Sequence, residues 1–189
     1  RRRELVLAAM SLLAGCGGGV DSGGTGTGAA ATLAVGPITG LGSIIVNGVR
    51  FDDSTAQVEN EDGVRGSSDD IKLGSMVEVE SEKVDDSTGR AKASRIRFGS
   101  ELVGPVASVD TASSSFVVLD QTVDVKPETV FDDSLAGGLA ALTGKVVEVH
   151  AQLDAATGHY VATRVEAEAG ATAFKLRGVV SALDATAKT

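Results

Sequence analysis

The chain has no tryptophan, one tyrosine (Tyr160) and five phenylalanines, so aromatics make up only 3% of its 189 residues. A core built with so few rings is aliphatic, drawn from Val, Leu, Ile and Ala, and stacking platforms for single-stranded nucleic acid are in short supply. Cysteine occurs once, at Cys16, which rules out an internal disulfide and leaves only its position to interpret. Basic side chains are outnumbered: 17 Lys and Arg stand against 26 Asp and Glu, for a formal charge of −9. Such a chain repels phosphate backbones, so nucleic acid is not expected as a partner. Long apolar runs are lacking as well. Residues 5–14 are apolar apart from Ser11, but a run of about ten residues spans roughly 15 Å as helix, half of a hydrocarbon core of about 30 Å. No methionine stands before Arg1, and the chain is expected to be part of a longer protein.

What is present begins with those first residues. Arg1, Arg2 and Arg3 precede the apolar run, which ends in Leu13-Ala14-Gly15-Cys16. A positive head, an apolar core and small residues before a cleavage point are the order of a signal peptide. The last four residues resemble the bacterial lipobox, which implies cleavage before Cys16 and lipid on its thiol. Several acyl chains on one cysteine would anchor firmly where a single chain holds only marginally. Gly17, rather than Asp, follows the cysteine, which is compatible with the outer membrane. The stretch GGGVDSGGTGTG at residues 17–28 buries too little apolar surface to order itself and is expected to act as a tether.

Beyond the tether the sequence repeats. Val35-Gly36-Pro37-Ile38 matches Val103-Gly104-Pro105-Val106, and Gly74-Ser75-Met76-Val77-Glu78-Val79 matches Gly144-Lys145-Val146-Val147-Glu148-Val149. The stretch from Val84-Asp85 through Thr88-Gly89 to Arg95-Ile96 lies without a gap over Leu153-Asp154 through Thr157-Gly158 to Arg164-Val165. Phe51-Asp52-Asp53-Ser54 also aligns with Phe131-Asp132-Asp133-Ser134, and residues 178–184 resemble residues 104–110. These matches divide the chain into a signal peptide (1–15), a lipidated cysteine with tether (16–32), two repeats (33–99 and 100–170) and the start of a third (171–189).

Within each repeat the apolar period is near two, which marks strands. Val147, Val149, Ala151 and Leu153 share one face, with Glu148, His150 and Gln152 on the other. Ala91, Ala93, Arg95 and Arg97 are likewise expected opposite Lys92, Ser94, Ile96 and Phe98. Asn47-Gly48 signals a tight hairpin turn, and D-x-x-T-G, with Gly89 or Gly158, signals another. Residues 134–142 suit one short helix or a loop, weakened by Gly137 and Gly138. Five short strands with a short helix or loop before the fourth make up an OB-like barrel. The expected fold is therefore all-β: tandem small OB-like five-stranded barrels after a signal peptide and flexible tether. An open β-meander or split sandwich is the alternative. The Gly-Pro opening, the run Asn47-Gly48-Val49-Arg50-Phe51-Asp52, the Val-Glu-Val strand and the closing strands at Arg95-Ile96 and Arg164-Val165 resemble a bacterial family of domains of unknown function. That family occurs as tandem small β-barrel repeats in exported lipoproteins. The resemblance covers residues 33–189 and implies fold and location, but no activity and no catalytic residues. The second repeat departs by lacking Asn-Gly, with Asp120-Gln121 near that place.

Chemistry is harder to find. His150 falls on the polar strand face and His159 beside a turn glycine, so both read as surface residues. No Ser, Cys or carboxylate stands at a triad spacing. A two-histidine metal site would lack its remaining ligands. The acid pairs Asp52-Asp53, Asp69-Asp70, Asp85-Asp86 and Asp132-Asp133 lack calcium-loop spacing and suit turn capping. Arg95 and Arg97 form a small basic stripe read as a solvated face; Glu166 stands where Arg97 does in the first repeat. No catalytic, metal or cofactor-binding residue is therefore assigned, no cofactor is expected, and Cys16 alone is assigned, as the lipidation site. The expected function is that of an exported cell-envelope lipoprotein with a non-catalytic structural or interaction role. It would contact the membrane through Cys16 and a partner protein or glycan through its barrels. A ligand-binding barrel for a sugar, peptide or cation is the alternative, and an enzyme ranks last.

Overall fold

The computed structural model describes residues 32–179 together with Thr186. The signal segment, Cys16 and the tether lie outside the described residues, as does most of the stretch expected to open a third repeat.

The first repeat forms β1 (Thr32–Gly40), β2 (Ile44–Val46), β3 (Val49–Asp52), β4 (Gln57–Asn60), β5 (Met76–Ser81) and β6 (Arg90–Gly99). Antiparallel pairing runs β3-β2-β1-β5-β6, and a parallel pairing of β3 with β6 closes the ring. The second repeat forms β7 (Leu102–Asp110), β8 (Ser115–Val118), β9 (Gln121–Asp124), β10 (Val130–Phe131), β11 (Val146–Leu153) and β12 (Tyr160–Ala167), and closes the same way through a parallel β9–β12 pairing. These are the expected closed five-stranded barrels, with β4 and β10 as short extra strands laid parallel on β6 and β12. Closure removes most of the edge that would otherwise invite aggregation. Before the fourth ring strand come short 3-10 helices: Ser68–Asp70 in the first repeat, Asp133–Leu135 and Gly138–Leu142 in the second. Gly138, at φ +58°, divides the latter pair. A further strand, β13 (Lys175–Leu176), pairs antiparallel with the start of β7.

Each barrel has its own aliphatic core. Ile38, Val46, Phe51, Val79 and Ile96 fill the first; Leu102, Phe116, Val123, Leu142, Val149 and Val165 fill the second. Strict alternation fails on the closing strand of each barrel. Ala91 and Ala93 were expected opposite Ile96 and Phe98, yet all four pack on the first core. The cause is a β-bulge. Glu80 pairs with Arg95 but Ser81 pairs with Ala93, so Ser94 is extra; in the second barrel His150 pairs with Arg164 and Ala151 with Ala162, so Thr163 is extra. One inserted residue resets the inward phase and bends the strand around the barrel. On β11, which carries no extra residue, the alternation runs inward through Val147, Val149 and Ala151, and Leu153 at the strand end is 42% exposed instead of inward.

Two sequence alignments also need correction. Phe51 lies on β3 opposite Ala91 of β6, whereas Phe131 lies on β10 opposite Val165. The structural counterpart of Phe51 is Val123, which stands opposite Tyr160. Bulk has changed sides: Phe with Ala in one barrel, Val with Tyr in the other. The second repeat also keeps the tight turn despite losing Asn-Gly, one residue earlier than expected. Asn47 and Gly48 have φ +51° and +80°; Leu119 and Asp120 have +49° and +60°. Positive φ at both positions defines the twisted hairpin turn that β-strands favour. The Gly-Pro signature sits directly beneath it. A Cβ on Gly36 would come within 2.7 Å of Asn47 Oδ1, and one on Gly104 within 2.8 Å of Leu119 Cγ. The turn residue folds over the strand, and Asn47 Nδ2 donates to the Val35 carbonyl at 2.9 Å.

Candidate functional site

The first acids of three of the pairs, and Asp154 in the second D-x-x-T-G hairpin, act as turn chemistry. Ser54 N–H donates to Asp52, Ser87 N–H to Asp85, Ser134 N–H to Asp132 and Ala156 N–H to Asp154. Those donors hold the four carboxyls below their ordinary range, the first three chiefly through Ser54, Ser87 and Ser134 and the last through the Ala156 backbone. Among the described residues, no group of three or more His, Cys, Asp and Glu is placed to hold a metal ion. The basic stripe of β6 is a paired ladder. Arg97 meets Glu59 at 2.9 Å and Glu78 at 3.5 Å, and Arg95 meets Glu80 at 3.1 Å.

The two histidines part company. His159 lies at the hairpin end, half-exposed, 3.3 Å from Asp124. His150 is not a surface residue: it is only 4% exposed, because the first barrel covers this strand face. Its Nδ1 lies 2.8 Å from the Gly99 carbonyl. A carbonyl only accepts, so Nδ1 carries the proton, and Met76 N–H, 3.3 Å from the same nitrogen, is a contact rather than a bond. Burial holds the imidazole pKa below its ordinary value, against the pull of Glu148 and Glu166.

Around His150 the polar groups of both barrels converge. Glu148 stands directly across from Glu166 on β11 and β12, an arrangement that repels unless a cation intervenes. Lys72 of the first barrel supplies one at 3.1 Å from Glu166, and Arg164 supplies another. Burial alone would raise the Glu166 pKa; hydrogen bonds from Arg164 and Lys72 outweigh it and bring it below the usual range. Arg164, 6% exposed, also reaches Asp132 at 3.5 Å and donates to the Leu73 carbonyl at 3.1 Å. Gly74 presses so close that a Cβ would lie 2.5 Å from the Thr163 carbonyl oxygen. Beside this contact runs an apolar groove of about 220 Å³, lined by Pro37, Ile38, Leu73, Val130 and Thr163.

The junction was not foreseen as a site. Lys72, Gly74, Arg164 and Glu166 carry no motif. One signal was visible: the aligned repeats exchange Arg97 for Glu166, and a charge reversal on one face of an otherwise faithful repeat marks the face that meets a neighbour. Cys16, the assigned lipidation residue, lies outside the described residues.

Residues 35–97 and 103–166 each match the domain of unknown function DUF5666. The chain belongs to the DUF5666 family. The two matched segments coincide with the two barrels, so each DUF5666 domain is one closed barrel and the junction lies between two domains. Comparison with curated proteins and with solved structures gave no match.

Proposed function

We propose that this DUF5666 protein is a non-catalytic structural or interaction module of the bacterial cell envelope, held on a membrane by lipid on Cys16. One observation carries the non-catalytic reading: the buried polar side chains Arg164 and His150, with the half-buried Glu166, are committed to fixing one barrel against the other. Groups so committed are not free to meet a substrate. The five phenylalanines support a partner other than nucleic acid. Phe51 and Phe116 are fully buried, Phe98 and Phe131 pack on the cores, and Phe174 alone is well exposed at 58%, whereas single-strand binding needs rows of exposed rings on a basic groove. The envelope reading rests on the order of Arg1–Arg3, the short apolar run and Leu13-Ala14-Gly15-Cys16.

Fractionation of cells producing the full-length protein tests the location. The wild type should sediment with membranes and Cys16→Ser should not. A wild type found free, or a variant still on membranes, would refute lipid anchoring.

A further inference from the structure

The segment matching the opening strand of each repeat is used in an unexpected way. Lys175 pairs with Val103 and Leu176 with Leu102, which adds a strand to β7 of the second barrel. Arg177 follows, its N–H donating to the Glu101 carbonyl at 2.7 Å and its own carbonyl accepting from the Tyr160 hydroxyl. The backbone of Arg177 is therefore held on both sides, by the link through Glu101 and by the second barrel through Tyr160.

Its side chains reach the first barrel. Lys175 Nζ pairs with Glu61 Oε1, and Arg177 Nη2 lies 2.9 Å from Glu61 Oε2. Arg177 also comes within 4.0 Å of Glu101. Glu61 follows β4 of the first barrel, and Glu101 lies in the two-residue link between barrels. Two glycines fit this arrangement. A Cβ on Gly99 would lie 2.7 Å from Glu61 Oε2, and one on Gly178 would lie 3.1 Å from the Tyr160 oxygen. Glu101 is anchored too, accepting from the Ala151 N–H at 2.8 Å.

We propose that the acidic crevice formed by Glu61 and Glu101 is a receptor for a basic extended segment, that Lys175-Leu176-Arg177 is its occupant, and that occupation locks the two barrels into one rigid body. Backbone pairing with β7 gives the segment its register, as in strand addition to a sheet edge. The two cations both pair with Glu61, and that convergence gives the segment its specificity for this carboxylate. Without the segment, Glu61 and Glu101 face each other across the crevice without a cation from it. The barrels then keep only the junction contacts of His150, Arg164 and Lys72, and bending at the Ser100-Glu101 link is less restrained. This inference is independent of where the protein resides.

The test uses the full chain in a Cys16→Ser background, with spin labels on exposed residues 86 and 155 of the two hairpin tips. Glu61→Gln and the pair Lys175→Gln with Arg177→Gln should each broaden the inter-label distance distribution. Each should also lower hydrogen-exchange protection of the Arg177 amide by about tenfold, the scale of losing a partly buried charge pair. Combining all three changes should add little, because both sets remove the same contact. Unchanged protection would overturn the receptor. Lost protection with an unchanged distance distribution would overturn the lock. Protection that rises with protein concentration would reassign the segment to a second copy of the chain. The conservative Glu61→Gln change keeps the shape of the site, and unaltered exchange protection of the paired amides of β11 and β12 would exclude unfolding of the second barrel as the cause.

Discussion

Phe51→Val should destabilise the first barrel by about 3 kcal/mol, and Ala91→Phe should return most of that loss. Phe51 is fully buried and stands opposite Ala91 in register. The change to Val removes four buried carbons, at about 0.8 kcal/mol each. Ala91→Phe alone forces a ring into a filled core and should cost about 1–3 kcal/mol. Together the two changes reproduce the arrangement of Val123 and Tyr160 in the second barrel, with bulk on the closing strand instead of β3. The double variant should therefore lie within about 1.5 kcal/mol of the wild type, the cost of a volume-conserving swap. Urea unfolding followed by circular dichroism measures all four forms, and Tyr160 fluorescence follows the second barrel separately. If the two costs simply add, the side chains share no volume and the proposed exchange of bulk is wrong.

Gly74→Ala and Gly144→Ala should differ. Both glycines have positive φ, +82° and +74°, but only Gly74 faces a backbone oxygen, at 2.5 Å. Gly144→Ala should cost about 1–2 kcal/mol in unfolding experiments, the left-handed penalty, and Gly74→Ala clearly more; equal costs would remove Gly74 from the junction. His150 should make the junction acid-sensitive. Its folded pKa lies below the unfolded value, so the unfolded chain binds the extra proton and the stability His150 contributes is present above about pH 6.5 and lost as pH falls. His150→Gln should flatten that part of the stability profile between pH 7 and 5; an unchanged slope would point to other groups. Lys72→Met removes the first barrel's cation from beside Glu166. Because Lys72 is 45% exposed, the cost should not exceed about 1 kcal/mol in urea unfolding.

Much of this protein is legible in its residues. Periodicity near two marks strands because alternate side chains face opposite sides of a sheet. Matching segments show that a barrel is built twice, and glycines at Asn47-Gly48, Gly89 and Gly158 mark turns that require positive φ. These are local rules, and the all-β tandem barrel follows from them. Local rules fail where the answer depends on contacts distant in sequence. The bulges at Ser94 and Thr163 arise from closing a small ring, which no alternation pattern records. Phe131 resembles Phe51 in its neighbours but not in its place, because strand pairing assigns Val123 to that position. His150 reads as solvated on its own strand and is buried only because another barrel docks over it. Arg164, Glu166, Lys72 and the Glu61 crevice acquire their roles the same way. The sequence by itself determined the five ring strands of a barrel and that the barrel forms twice. Only the tertiary structure decided which polar faces are covered, because burial is a property of two surfaces meeting and neither surface alone encodes the other.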